Sequence, residues 1–165
     1  MMEFVHVELK RETWIKPEMN VRSEEDAILA VKKLIQNLDR ELVICIHIAT
    51  SGRVINASVC AMGTMDQAVI SPAEVLRTAI LSGAHGILML HNHPSGCCKP
   101  SKEDLHVAKK LATACALLGI QLVDFIVVGA SGFTHSVRGY EAEWLSPSYE
   151  WINAEIVSSN SKKQE

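Results

Sequence analysis

The chain has 165 residues, 48% of them hydrophobic, 21% charged and 5% aromatic, a length that suits one domain able to bury roughly two thirds of its unfolded surface. The apolar content excludes a disordered chain, and nine glycines and five prolines exclude a collagen-like or low-complexity one. Sixteen basic and nineteen acidic residues give a net charge of −3, so bulk charge offers no support for binding nucleic-acid phosphates.

The cellular context is indicated by what the sequence lacks. No apolar run approaches the roughly 18 residues that a membrane span needs, and residues 1–4 lack the basic and apolar regions of a signal peptide. Without an export signal we expect a reducing compartment and free thiols at Cys45, Cys60, Cys97, Cys98 and Cys115. The sequence therefore predicts a cytoplasmic protein with no membrane partner.

The first predicted elements are a short strand and a helix. Residues 1–22 form an N-terminal segment in which Val5, Val7 and Leu9 alternate with polar neighbours, a pattern that allows an edge strand. Ser23 is followed by three acidic residues, which favours a helix start because a hydroxyl caps the first turn and acids complement its dipole. Apolar residues at helical spacing then predict a helix near 24–38.

A hairpin and a second helix follow. Residues 42–48 and 53–62 predict two strands joined by a turn at 50–52, and residues 68–70 allow a third short strand. Ser71 and Pro72 supply a cap and a first-turn proline, which favours a helix that runs to about Ser82.

The second half combines strands with a third helix. Residues 86–90 are an uninterrupted apolar run, typical of a strand buried on both faces. A loop is predicted from His91 to Pro100, then a helix that begins at Ser101 and stops at Gly119, then strands at 122–128 and 133–137. This order predicts an α/β sandwich with a mixed sheet. Residues 140–165 are predicted to form a helical tail with a frayed end.

The stretch after residues 86–90 carries candidate metal ligands. His91 and His93 are two residues apart at a strand end, so their side chains share a face, about 6–7 Å apart along the chain. Asp104 lies in the first turn of the next helix, which a loop can fold back over the strand end. Two imidazoles and one carboxylate leave a fourth position for water, the arrangement of a catalytic zinc rather than a structural one.

Hydrolysis at such a site also needs a base and a donor for the oxyanion. Ser101 precedes Asp104 by three residues, so its hydroxyl is expected near the ion, where it could donate to the oxyanion. The same two residues fit a helix capping box, and the two interpretations are compatible. The base should be a carboxylate outside the ligand set, and spacing leaves three candidates, Glu41, Glu74 and Glu103.

This stretch resembles the JAMM metalloprotease motif, in which seven residues separate the second His of His-x-His-Pro from a Ser, and two more separate that Ser from an Asp. The spacing matches at His91, His93, Ser101 and Asp104. More narrowly, residues 23–139 resemble the RadC family of JAB/MPN-type domains. The segments that carry this resemblance are Gly63-Thr64, Pro72 to Val75, His91 to Gly96, Pro100 to Asp104 and Leu118 to Asp124.

The resemblance implies an MPN sandwich, similar to that of cytidine deaminases, with helices flanking the mixed sheet. It implies one Zn²⁺ per chain with a bound water, held by His91, His93 and Asp104. In JAMM enzymes the base is a glutamate at the start of the first core strand, and the matching residue is Glu41. The implied activity is a metallohydrolase in which Glu41 activates the water, Ser101 assists, and a peptide or isopeptide bond of an unidentified protein substrate is cut.

Departures from the RadC pattern keep other functions open. Leu42 and Val43 stand where the family usually carries a His and an aromatic residue, and Phe125 stands where a His usually follows the Asp of the later strand. The alternative function is a catalytically silent, zinc-containing binding or scaffold module. The DNA-repair label of RadC proteins gives a third and weaker alternative, and at a net charge of −3 we expect no strong nucleic-acid binding.

Two smaller questions also stay open. Cys97 and Cys98 stand where the family usually carries an Asp and small residues. They are either loop residues of no consequence or thiols that compete as metal ligands. Asp124 either hydrogen-bonds a ligand imidazole or is a polar residue at a sheet end.

Overall fold

Four α-helices, five β-strands and one 3₁₀ helix make up the regular structure of the residues that the computed structural model describes, which are 22–35, 38–63, 70–129 and 132–148. In chain order these elements are α1 (Glu24–Ile35), β1 (Leu42–Ile48), β2 (Val54–Met62), α2 (Pro72–Leu81), β3 (Gly86–His93), α3 (Lys102–Leu117), β4 (Gln121–Gly129), β5 (Thr134–Ser136), α4 (Val137–Tyr140) and the 3₁₀ helix (Ala142–Leu145).

The strands form a mixed sheet in the order β2-β1-β3-β4-β5. β1 pairs antiparallel with both β2 and β3, and β5 pairs antiparallel with β4. β3 and β4 are parallel, because α3 returns the chain to the end of the sheet from which β3 started. The predicted α/β sandwich with a mixed sheet, and its β1–β2 hairpin, are confirmed.

Each face of the sheet is covered by helices, which explains the uninterrupted apolar runs. Val43 and Cys45 of β1 belong to a core that α2 and α3 cover, whereas Ile44 and Ile46 belong to a second core beneath α1. Every residue of β1 is buried, and β3 is buried from Gly86 to Asn92. A central strand with both faces buried is apolar throughout, without the alternation of polar and apolar residues that a half-exposed strand shows.

Some predicted bounds are wrong. The described part of α1 runs to Ile35, residues 36 and 37 lie outside the described part of the chain, and Leu38, the predicted last residue, lies outside any helix. β3 continues through His93, where a loop was predicted from His91, because its pairing with β4 runs on to the His93–Gly129 pair. The last strand is shorter than predicted and gives way to α4 at Val137. Of the possible strand at 68–70, only Ile70 is described, and it lies outside any strand.

The two ends of the chain are described in part. The possible edge strand within residues 1–22 lies outside the described residues, apart from Arg22. In the tail, Lys109 Nζ of α3 donates to the Glu143 carbonyl of the 3₁₀ helix at 2.7 Å, and residues beyond 148 are outside the described range.

All five cysteines are free thiols, as predicted. No helix in the described ranges is long and apolar enough to span a membrane.

Candidate metal centre

The candidate site lies where the end of β3 meets the beginning of β1. The antiparallel pairing of these strands ends at Val43 and His91, so Glu41, two residues before Val43, comes beside the end of β3. Side chains alternate along a strand, and His91 and His93 therefore share the face of Met89, which α2 and α3 cover. The fold thus places the predicted base and both histidines on one face.

Asp104 of α3 completes the cluster. Its Oδ1 is 3.5 Å from His91 Nε2, and its Oδ2 is 3.3 Å from His93 Nε2. On the other side, Glu41 Oε2 is 3.9 Å from His91 Nε2. The donor atoms of Glu41, His91 and His93 lie within 4.8 Å of one another, a group that could hold a metal ion.

Ser101 fixes the turn that presents Asp104. The Ser101 hydroxyl accepts from the Asp104 backbone N–H at 3.0 Å, while Asp104 Oδ2 accepts from the Ser101 backbone N–H at 2.8 Å. This reciprocal pair is a capping box at the start of α3. The hydroxyl of Ser101 also donates to Asp104 Oδ2 at 2.7 Å. The predicted cap is confirmed, and it orients the carboxylate toward the two histidines.

The loop after β3 orients the His93 ring. His93 Nδ1 donates to the Cys97 carbonyl at 2.9 Å, since a carbonyl can only accept, and this leaves Nε2 to face Asp104. A supporting bond of this kind sets which nitrogen of a histidine is free to bind a metal. The loop packs against Gly129, where a Cβ would collide with the Gly96 carbonyl. Cys97 therefore supports the site through its backbone.

Burial and charge set the protonation of the cluster. Burial lowers the pKa of His91 to about 4 against the opposing attraction of Asp104. The hydrogen bond to Asp104 raises the pKa of His93 above its ordinary value. Burial alone would raise the pKa of Asp104, but hydrogen bonds from His93 and Ser101 hold it at about 2. Near pH 6 the site contains a neutral His91, a protonated His93 and an ionised Asp104.

Asn92, between the two histidines, is a residue that the sequence interpretation missed. It is 5% exposed, its Oδ1 accepts from the Leu42 backbone N–H at 2.6 Å, and its Nδ2 donates to the Arg40 carbonyl at 3.1 Å. Strand alternation could have flagged it, because a polar amide between two residues of one face must point to the opposite, buried face.

The structure separates the open alternatives. Glu74 is exposed and paired with Arg77 at 2.8 Å, and Glu103 is exposed at the start of α3. Neither of them, nor Cys97 or Cys98, joins the group of Glu41, His91 and His93 that could hold a metal among the described residues. Asp104 is also outside that group, but its carboxylate lies beside both histidines. Of the three glutamates, the fold brings Glu41, the residue just before β1, to the histidines.

Asp124 does not contact the histidines through its observed hydrogen bonds. Its carboxylate accepts from the backbone N–H groups of Phe125 at 2.7 Å and Arg138 at 2.8 Å, and from the Ser136 hydroxyl. The idea that it supports a ligand imidazole is wrong. Asp124 instead fixes the corner between β4, β5 and α4.

Curated proteins from several organisms are similar in sequence to this chain. A UPF0758 protein of Shouchella clausii is 36% identical over 113 residues, which is 68% of this chain and 49% of the relative. A UPF0758 protein of Thermotoga maritima is 42% identical over 96 residues, 58% of this chain and 43% of the relative. A third, from Rubrobacter xylanophilus, is 33% identical over 124 residues, 75% of this chain and 54% of the relative. The chain spans about half the length of these curated relatives.

A family model matches a longer stretch than the motif itself. The model described as RadC-like JAB domain covers residues 21–142, which include both helical layers, the whole sheet and every residue of the candidate site. The chain belongs to the RadC-like JAB domain family.

Proposed function

We propose that the protein is a zinc-dependent hydrolase that cleaves a peptide or isopeptide bond. The proposal depends on one observation: two imidazoles and two carboxylates lie together at the end of β3. The distances from imidazole nitrogens to carboxylate oxygens are between 3.3 and 3.9 Å. The names of the relatives state no activity, so the support comes from these residues and from the family of the domain.

His91, His93 and Asp104 are the proposed zinc ligands. With metal–ligand bonds of about 2.0–2.1 Å, two donors of a tetrahedral zinc site lie about 3.3 Å apart. Asp104 Oδ1 is 3.5 Å from His91 Nε2 and Asp104 Oδ2 is 3.3 Å from His93 Nε2, so one oxygen of the carboxylate lies at about this separation from each imidazole. Imidazole nitrogen and carboxylate oxygen are also ordinary zinc donors. The chemistry of the donor set fits the ion, and the carboxylate lies beside both imidazoles.

Glu41 is the proposed general base. A bound Zn²⁺ would lower the pKa of a water and polarise the substrate carbonyl. Glu41 Oε2 lies 3.9 Å from His91 Nε2, so its carboxylate faces an imidazole that is proposed to bind the ion. It would take the proton of the attacking water and return it to the leaving amine.

Ser101 is the proposed oxyanion donor. Its hydroxyl proton is directed at Asp104 Oδ2, an oxygen that also accepts from the Ser101 backbone N–H. If the hydroxyl turned toward a substrate oxygen, Asp104 would keep the backbone hydrogen bond. A donor held in place before the reaction stabilises charge that develops in the transition state.

A carboxylate that both takes and gives a proton suits an amide substrate. The amine of an amide leaves poorly unless it is protonated, and one residue beside the attacking water can supply that proton after acting as base. This chemistry supports a peptide or isopeptide as the substrate class, presented by a peptide or protein partner.

The first prediction concerns zinc uptake. Chain stripped with a chelator is expected to bind one Zn²⁺ in isothermal titration. Loss of a residue that supports a ligand lowers metal affinity by about 10–100-fold. His93→Ala should lower the affinity for Zn²⁺ by more than this, because it removes a ligand itself. His85→Ala is the matched control, since His85 is exposed and precedes β3 at its opposite end. Failure of the wild-type chain to bind Zn²⁺ would contradict the proposal.

The second prediction concerns pH. Ligation requires neutral imidazoles, and near pH 6 His93 is protonated while His91, with a pKa of about 4, is neutral. Zinc binding at pH 6 should therefore release about one proton, and affinity should fall about tenfold per pH unit as the pH decreases from 6 to 5. Titrations in two buffers of different ionisation enthalpy measure the proton count. A count near zero or near two would contradict this assignment.

The third prediction concerns turnover. Zinc-loaded chain is tested against a library of peptides and isopeptide conjugates, and Glu41→Gln should lower kcat by about 10²–10⁴-fold, since the base is lost, with zinc content unchanged. Glu74→Gln is the matched control, because Glu74 is exposed and paired with Arg77. If the zinc-loaded wild type cleaves no library member, and Glu41→Gln binds the same members with unchanged affinity, the protein is a binding module instead of an enzyme.

A further inference from the structure

We propose that Asn92 is a positioning residue that holds Glu41 over the histidine pair. This inference rests on the proposed function, because it concerns the group assigned there as the base. Asn92 bonds the backbone on both sides of Glu41, at Leu42 N–H and at the Arg40 carbonyl.

The Asn92 side-chain amide continues the hydrogen bonding between β1 and β3 beyond the last register pair of these strands. Register pairs of β1 with β3 end at Val43 and His91. Continued in the same register, Leu42 would face Asn92, but the side-chain amide supplies the next donor and acceptor in place of the main chain. An amide side chain carries the same two groups as a peptide unit. It therefore joins the two strands just beyond their last register pair, beside Glu41.

Glu41 is consequently fixed from both neighbouring strands. From the β2 side, the Gly63 backbone N–H donates to the Glu41 carbonyl at 2.9 Å. From the β3 side, Asn92 holds the preceding carbonyl and the following N–H. The main chain is thus held at three consecutive residues, 40 to 42, which fixes the position of the Glu41 Cα beside His91. From this position Glu41 Oε2 reaches to 3.9 Å from His91 Nε2.

Only an amide side chain supplies both of these bonds at this site. Asp lacks the donor for the Arg40 carbonyl, Ser is too short to reach both partners, and an apolar residue leaves both unsatisfied. Asn92 is buried and, by strand alternation, points away from the histidine face. It therefore acts on the site through Glu41 and has no direct contact with substrate.

The experiment uses the full chain loaded with Co²⁺, whose visible absorption reports the surroundings of the metal. Spectra at pH 7 are compared for the wild type, Glu41→Gln, Asn92→Ala and the double variant. We expect Asn92→Ala to reproduce the spectral change of Glu41→Gln and the double variant to add nothing, because the two residues act as one unit. Co²⁺ affinity should stay within about tenfold of the wild type, and the Leu42 amide should lose protection from hydrogen exchange.

A matched control is Asn56→Ala, which removes an amide bonded to His47 and Ser82 near the other end of β1 and should leave the spectrum unchanged. The positioning role of Asn92 is overturned if Glu41→Gln changes the Co²⁺ spectrum and Asn92→Ala does not. It is also overturned if the spectral change of the double variant is the sum of the two single changes. Neither result affects the proposed metal site. A wild-type chain that takes up no Co²⁺ or Zn²⁺ overturns the proposed function itself. Should Asn92→Ala fail to fold, Asn92→Ser, which retains one bond at most, serves in the same comparison.

Discussion

The end of the β1–β3 pairing at Val43 and His91 is the constraint on which the candidate site depends. Up to that pair, both strands are buried and their side chains belong to the two cores. Beyond it, Glu41 and His93 lie on the face of His91, while Asn92 points to the opposite face and supplies hydrogen bonds where the backbone pairing has ended.

A second constraint is the charge balance of the cluster. Asp104 is buried, and its carboxylate is stabilised by the Ser101 cap and by a protonated His93. Burial keeps His91 neutral at the same time. A divalent cation bound here would replace the proton of His93 and keep the carboxylate paired with positive charge. The groups that stabilise one another in the cluster are therefore those that such an ion would bind.

The sequence predicts most of the fold because its local signals agree with tertiary packing. The turn after β1, the Pro72 helix start and the Ser101 cap are short-range features, and all three appear where predicted. The end of β3 was misplaced because its extension to His93 depends on pairing with Gly129, a contact that no local pattern encodes. The proximity of Glu41 is predicted by resemblance alone, since Glu41 lies fifty positions before His91 in the sequence. Strand alternation indicates that Asn92 is buried, but its bonds to Arg40 and Leu42 depend on the pairing of β3 with β1. The role of the Cys97 carbonyl depends on the geometry of the loop after β3.

We propose above that imidazole nitrogens and a carboxylate hold a zinc ion, with no cysteine sulfur among the ligands. X-ray absorption at the zinc edge of the loaded chain tests it most directly, because nitrogen and oxygen ligands lie at about 2.0–2.2 Å and thiolate sulfur at about 2.3 Å. We expect only nitrogen and oxygen atoms bound to the zinc, with the outer scattering of two imidazoles from His91 and His93. A sulfur contribution from Cys97 or Cys98, or scattering from fewer than two imidazoles, would contradict it.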